Sequence, residues 1–255
     1  MTFYQSVISG IVQGLTEFLP ISSSGHLVIL HSLFRIDKPQ LDFDIVLHLG
    51  TLAAVIYYFR RDIAKLLTKD RRTAFFIVIG TLPAAVVGIL ARESIDRLFV
   101  MPKLVSAMLI LTGLWLGLAS AIKFYYKKTG YRKPLGLWNA LLIGLAQAAA
   151  IMPGVSRSGS TIATGISLGL EAEEAFRFSF LLSIPAVAGA ALLKLPKALG
   201  AVSWSRGANF LIGGFTAAIV GLLALKLLSS IIKADRLYVF SIYCLVVGSL
   251  GIILF

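Results

Sequence analysis

With 255 residues, of which 58% are hydrophobic and only 14% charged, and with a mean hydropathy of +0.89, the chain is too apolar for a soluble domain, where about 25% of residues are charged. The net charge of +12 argues against nucleic acid as partner, because Lys and Arg fall in short clusters between apolar runs of roughly 17 to 20 residues, the pattern of membrane spans. Cys244, the single cysteine, excludes a disulfide framework, a paired-thiol redox motif and a thiolate metal site, and reads as a small apolar residue in a membrane helix.

The opening M-T-F-Y-Q-S-V-I-S-G lacks the basic region and cleavage site of a signal peptide, so insertion is expected to rely on the spans themselves. Residues 3–19 are apolar but carry Gln5, Ser6, Ser9, Gln13, Thr16 and Glu17, and the run stops at Pro20, which removes a backbone donor and disfavours helix before it. Residues 24–34 form a second apolar piece, roughly 17 Å long as helix and too short for a ~30 Å hydrocarbon core. A helix, a break and a short helix predict a re-entrant hairpin, which is tolerated where protein or a wet cavity surrounds the broken backbone.

After the polar link R-I-D-K-P-Q-L-D come three cleaner spans, at 43–59, 74–91 and 104–122. The loop from Arg60 to Arg72 holds six basic residues, the link from Arg92 to Lys103 three, and the stretch from Lys123 to Lys133 five. This alternation places the two rich segments in the cytoplasm. The second half repeats the plan, with a broken pair over 136–169, an acidic link (Glu171, Glu173, Glu174) and spans near 178–193, 208–226 and 237–255.

Shifting the sequence by 134 residues matches Gly10 to Gly144, Gln13 to Gln147, Ser22 to Ser156, Ser24 to Ser158 and Gly25 to Gly159, and further on Ala74 to Ala208 and Gly80 to Gly214. This is the mark of a duplication. Three full crossings per half put the second half the other way up. The expected fold is therefore an all-α polytopic membrane protein, six transmembrane helices plus two re-entrant helix hairpins in an inverted-topology repeat. It forms a single integral membrane domain over 1–255, with repeat 1 over 1–122, a cytoplasmic link over 123–134 and repeat 2 over 135–255. Inverted repeats with broken helices are also a transporter architecture, with the site at the repeat interface, so a transporter or lipid flippase is the rival reading.

One copy carries Glu17 and His26, the other Arg157. An ionisable residue in an apolar run is costly and is by default a functional candidate; Gln13, four residues before Glu17, shares its helix face and can orient it. In S-S-S-G-H, Ser22, Ser23 and Ser24 offer hydroxyls and His26 a group suited to proton transfer. His31 and His48 lack such neighbours and are read as packing, interfacial or cavity-lining residues. In P-G-V-S-R-S-G-S-T, Gly154 and Gly159 permit tight turns, while Arg157 with the hydroxyls of Ser156, Ser158, Ser160 and Thr161 at a helix start forms an anion site suited to phosphate.

These residues resemble the undecaprenyl-diphosphate phosphatase family, the bacitracin-resistance type of bacterial membrane phosphatase. The resemblance rests on Q-G-L-T-E (Gln13 to Glu17), on P-I-S-S-S-G-H ending at His26 and on P-G-V-S-R-S-G-S-T (Pro153 to Thr161), and it spans essentially the whole chain. Gln13 stands where some members have a first Glu. The resemblance implies removal of the terminal phosphate from a C55 polyprenyl diphosphate, recycling the lipid carrier for cell-wall precursor export. It also implies a multi-pass protein of the bacterial inner membrane, a site facing the periplasmic side and a homodimer. Phosphoryl transfer needs charge neutralised on the moving group, an in-line nucleophile and help for the leaving group. The expected catalytic residues are Glu17, Ser23 (by resemblance), His26 and Arg157, with Ser22, Ser24, Ser156, Ser158 and Thr161 on the phosphates. The nucleophile is a serine, the histidine or an activated water. Glu17, supported by Gln13, is the expected ligand of a divalent cation (Mg2+ or Ca2+); no organic cofactor is expected.

Overall fold

The structure, a computed structural model, describes residues 2–36, 41–91, 98, 101–201 and 204–254. Thr2 and Gln5 close a capping box, each side chain bonding the other's backbone N–H, and so start α1 (Phe3–Phe18). The helix stops because Leu19, placed before Pro20, takes extended backbone at ψ 140°. Ser22 then caps α2 (Ser23–Leu33). There follow α3 (Leu41–Tyr58), α4 (Arg60–Thr68), α5 (Arg71–Leu90), α6 (Pro102–Thr129), α7 (Leu137–Ala149), α8 (Arg157–Ser167), α9 (Ala172–Ala201), α10 (Trp204–Lys233) and α11 (Tyr238–Leu254). No strand occurs among the described residues.

Four of these helices are long and apolar enough to cross a membrane: α5, α6, α9 over Ala172–Leu192 and α10 over Gly207–Lys233. A fifth crossing results if α3 and α4 count as one span bent by 68°. The outward faces carry large apolar side chains such as Phe124, Leu90 and Ile253, a continuous exposure that water would not support and lipid does. The chain is a multi-pass membrane protein. α11 is apolar but has 17 residues, about 25 Å of helix. The charged run from Arg60, expected as a loop, is instead helical: α4 turns away from α3 and buries none of its residues, as an amphipathic helix lying at the surface does.

The halves exchange partners in packing. α1 lies along α10, and α7 lies along α5. Glycine allows both approaches: a Cβ on Gly10 would sit 2.6 Å from Gly213 O, and one on Gly144 would sit 2.3 Å from Gly80 O. α6 pairs with α11, and α3 with α9 and α10. Phe18, Phe59, Phe176 and Phe180 form an aromatic cluster in the core, with Phe18 and Phe180 edge to face at 5.6 Å.

Lys133 N donates to Gly169 O at 2.9 Å and Tyr126 Oη to Ser167 O at 3.1 Å. The α7–α8 pair thus returns to the end it left. At that same end Arg132 pairs with Glu171, Lys123 with Asp235 at 2.5 Å and Arg177 with Asp62 of α4 at 3.6 Å, so the two basic-rich segments share one face of the bundle. Of the link expected over Arg92 to Lys103, residues 92–97, 99 and 100 lie outside the described residues, as do 37–40 of the one at 35–42.

Candidate active site

The two breaks meet. Glu17, on the last turn of α1, receives Arg157 Nη2 on Oε1 at 2.6 Å and Ser23 Oγ on Oε2 at 2.7 Å. Gln13, one turn earlier, donates Nε2 to the same Oε2 at 3.1 Å. The pair is largely out of solvent, with side chains 9% (Glu17) and 16% (Arg157) exposed, and Arg157 lies over the Phe180 ring at 5.5 Å. A buried ion pair persists when its remaining hydrogen-bonding capacity is met. Here Glu17 is well supplied, whereas Arg157 Nη1 is buried without a partner. A crevice lined by Glu17, Thr51, Leu52, Val55, Arg157 and Ser183 adjoins the pair.

Local sequence explains why Ser23 and Arg157 arrive there. Each opens an eleven-residue helix directly after a serine cap. Ser22 Oγ accepts from Gly25 N at 3.3 Å, and Ser156 Oγ accepts from Gly159 N at 3.1 Å. Within each turn the cap hydroxyl also meets the next-but-one serine, Ser24 at 3.2 Å and Ser158 at 3.3 Å. Ser24 Oγ accepts from Gly154 N at 3.4 Å and Ser158 Oγ donates to Leu19 O at 3.4 Å, which ties the breaks together. Ser22 holds the left-handed conformation (φ 66°), strained for a non-glycine residue and found where surrounding structure dictates it. Thr161 Oγ1 donates to Arg157 O at 2.8 Å and meets Ser179 Oγ at 2.5 Å. Ser22, Ser24, Ser156, Ser158 and Thr161 therefore brace the turns in this conformation, their hydroxyls engaged with the protein.

His26 is on α2, one turn from Ser22, and faces α11 rather than Glu17. Its Nδ1 lies 2.7 Å from Ser22 O and its Nε2 2.7 Å from Tyr243 Oη. A carbonyl only accepts, so Nδ1 carries the hydrogen, and in the neutral ring Nε2 keeps a lone pair that accepts from Tyr243. Tyr243 had no motif to mark it. His48, read from the sequence as a packing, interfacial or cavity-lining residue, stands beside the site: from α3 its Nε2 comes within 3.6 Å of Glu17 Oε2. An imidazole one turn after Asp44 in an apolar span was the available signal. In the second copy Ile151 stands where Glu17 stands in the first, and Gln147 is buried with both amide atoms unpaired.

Glu17 already accepts from three side chains, one a guanidinium, and the described residues hold no group of three or more His, Cys, Asp or Glu able to bind a metal ion. Glu17 in this arrangement does not fit a resident Mg2+ or Ca2+. A larger cavity, about 290 Å3, lies at the other end of α8 among Lys123, Lys127, Arg132, Glu171, Lys233 and Asp235; Lys123, Lys127 and Arg132 there are spent on ion pairs, so the chemistry stays with Glu17.

The family model of the bacitracin resistance protein BacA matches residues 6–250. The chain belongs to the BacA family. Similar curated proteins are named undecaprenyl-diphosphatase: those of Desulforapulum autotrophicum (42% identical over 99% of this chain and 98% of that protein), Korarchaeum cryptofilum (41%, over 97% of each) and Rhodopirellula baltica (43%, over 97% and 96%). The span matched by the family model includes both turns.

Proposed function

We propose that this BacA family member is an integral membrane phosphatase that hydrolyses undecaprenyl (C55 polyprenyl) diphosphate to the monophosphate and inorganic phosphate. The observation that carries the reading is the convergence of Ser23 Oγ and Arg157 Nη2 on the two oxygens of Glu17. The name shared by the similar proteins supplies the substrate.

Arg157 can keep Glu17 on Nη2 while Nη1, buried and unpaired, takes an oxygen of the terminal phosphate, neutralising charge there. Glu17 Oε2 receives the Ser23 proton as Oγ attacks the terminal phosphorus in line with the bridging P–O bond. That bond breaks, polyprenyl monophosphate departs with the electron pair, and a phosphoserine remains. His26, once Tyr243 releases Nε2, takes a proton from the water that attacks this phosphorus, and Glu17 returns its proton to Ser23 Oγ as inorganic phosphate leaves. Ser22, Ser24, Ser156, Ser158 and Thr161 would present the turns to the phosphates. No step passes through a metal ion.

The architecture we propose is six spans plus two re-entrant hairpins in an inverted repeat, with α1–α2 and α7–α8 as the hairpins. The exchanged packing of α1 on α10 and α7 on α5 and the matching serine caps of α2 and α8 support it. The Arg60 to Arg72 and Lys123 to Lys133 segments would face the cytoplasm and the site the outer side, in a cell membrane where the product re-enters cell-wall precursor export. A homodimer is part of the same reading.

The deciding assay is phosphate release from C55 polyprenyl diphosphate by purified protein in detergent. Catalytic release supports a phosphatase. A monodisperse protein that releases none, yet moves polyprenyl phosphate across vesicles, would be the transporter instead.

A further inference from the structure

His48 stands outside every sequence motif, on α3, which packs against α9 and α10 and touches α1. Both ring nitrogens are oriented. Nδ1 lies 2.7 Å from Asp44 O, one turn earlier on the same helix, and because a carbonyl oxygen only accepts, Nδ1 carries a hydrogen. Nε2 therefore faces Glu17 Oε2 at 3.6 Å. A bare Nε2 would set a lone pair against a carboxylate. An N–H there makes the contact attractive and lies a small shift from hydrogen-bond reach.

The geometry points to His48 as a positioning residue that directs an N–H at Glu17 Oε2 and holds this oxygen against the Ser23 hydroxyl. Around that oxygen, Gln13 belongs to the same helix as Glu17 and moves with it, while Ser23 is the group to be activated. Arg157 fixes the other oxygen. His48 adds a hold on Oε2 from a separate helix, so the carboxylate cannot turn its base oxygen away while Arg157 Nη1 takes up a phosphate oxygen. The other charged or titratable groups around the ring are Arg157 beyond Glu17, and Asp44 with His31, which stand 4.0 Å apart. Misaiming a base by a fraction of an ångström lowers the rate without changing what binds.

This inference rests on the proposed role of Glu17 as base for Ser23. It is tested by phosphate release from C55 polyprenyl diphosphate by wild type, His48→Ala and His48→Gln in detergent, with the thermal midpoint recorded for each. His48→Ala is expected to lower kcat about tenfold or more with KM changed less than about threefold, as loss of alignment does. His48→Gln keeps an N–H donor at nearly the same place without the ring, and is expected to restore kcat to within about threefold of wild type. A folded His48→Ala with wild-type kcat would overturn the inference, and so would a folded His48→Gln as slow as His48→Ala, which would mean that the ring itself is needed. If wild type releases no phosphate, the phosphatase reading fails and the role of His48 falls with it; an active wild type with indifferent variants removes His48 alone.

Discussion

Ser23 and Arg157 stand 134 residues apart, at the same place in two matching turns, and each donates to a different oxygen of Glu17. Each is the first residue of its helix, so its side chain leaves the helix start toward the opposing turn. The turns have diverged where chemistry needs it: one keeps a hydroxyl, the other has a guanidinium, and the acid survives in one copy only. A transport site with two equivalent halves has no need of that difference, whereas attack on a phosphorus by an oxygen nucleophile does.

Arg157→Lys is expected to be nearly as inactive as Arg157→Ala. Lys keeps the charge but cannot hold Glu17 with one nitrogen and a phosphate oxygen with another in a fixed plane. Loss of one such contact in the transition state lowers kcat roughly a hundredfold or more. Phosphate release by folded protein measures it; near-normal release from Arg157→Lys would remove the guanidinium from the mechanism.

Glu17 and Arg157 should also be coupled in stability. Removing one partner leaves a buried charge, at a cost of about 3–5 kcal/mol, so Glu17→Gln and Arg157→Gln should each lower the unfolding midpoint in detergent. The double variant should lose less than the two losses combined. Simple additivity would mean that the pair at 2.6 Å contributes no coupling.

How far the sequence could be read depends on whether a contact is local. Gln13 and Glu17 lie four apart on one helix, and their hydrogen bond follows from that spacing alone. The caps at Ser22 and Ser156 were likewise written in the S-x-S-G pattern, although their engagement with the protein, rather than with a ligand, was not. His48 and Tyr243 reach the site through packing of α3 and α11; Asp44, one turn before His48, is the single local sign of the first, and Tyr243 has no neighbour in sequence that betrays it. The run from Arg60 reads as a loop because charge is counted before periodicity; its helix is visible once the 68° bend at Phe59 is known.

Asp235 gives a pH prediction outside the spans. Hydrogen bonds from Lys123 and Lys127 hold its carboxyl below the ordinary carboxylate range. A depressed folded pKa contributes stability that is present above the unfolded value and is lost as pH falls through the folded one. Wild type should therefore exceed Asp235→Asn in thermal midpoint by a constant, small margin near neutrality, and the margin should close in acid below about pH 4, the ordinary aspartate range. The partners are partly exposed, so added salt should shrink the margin too. A gap that widens in acid would contradict the assignment.

The orientation is open to direct labelling. Cys244 is fully buried, with Sγ 3.5 Å from Pro20 O, so a membrane-impermeant maleimide should leave the wild-type chain unmodified, and Cys244→Ala provides a clean background. Arg61→Cys, on the exposed face of α4, and Lys128→Cys, in the last turn of α6, lie on the basic end of the bundle. If that end faces the cytoplasm as the charge bias requires, both should resist the reagent in sealed cells and react once the membrane is opened. Both positions must behave alike, because the Arg177–Asp62 and Arg132–Glu171 pairs hold their segments to one face. Labelling of both from outside would reverse the orientation and turn the proposed site toward the cytoplasm. Labelling of one but not the other would contradict the packing itself.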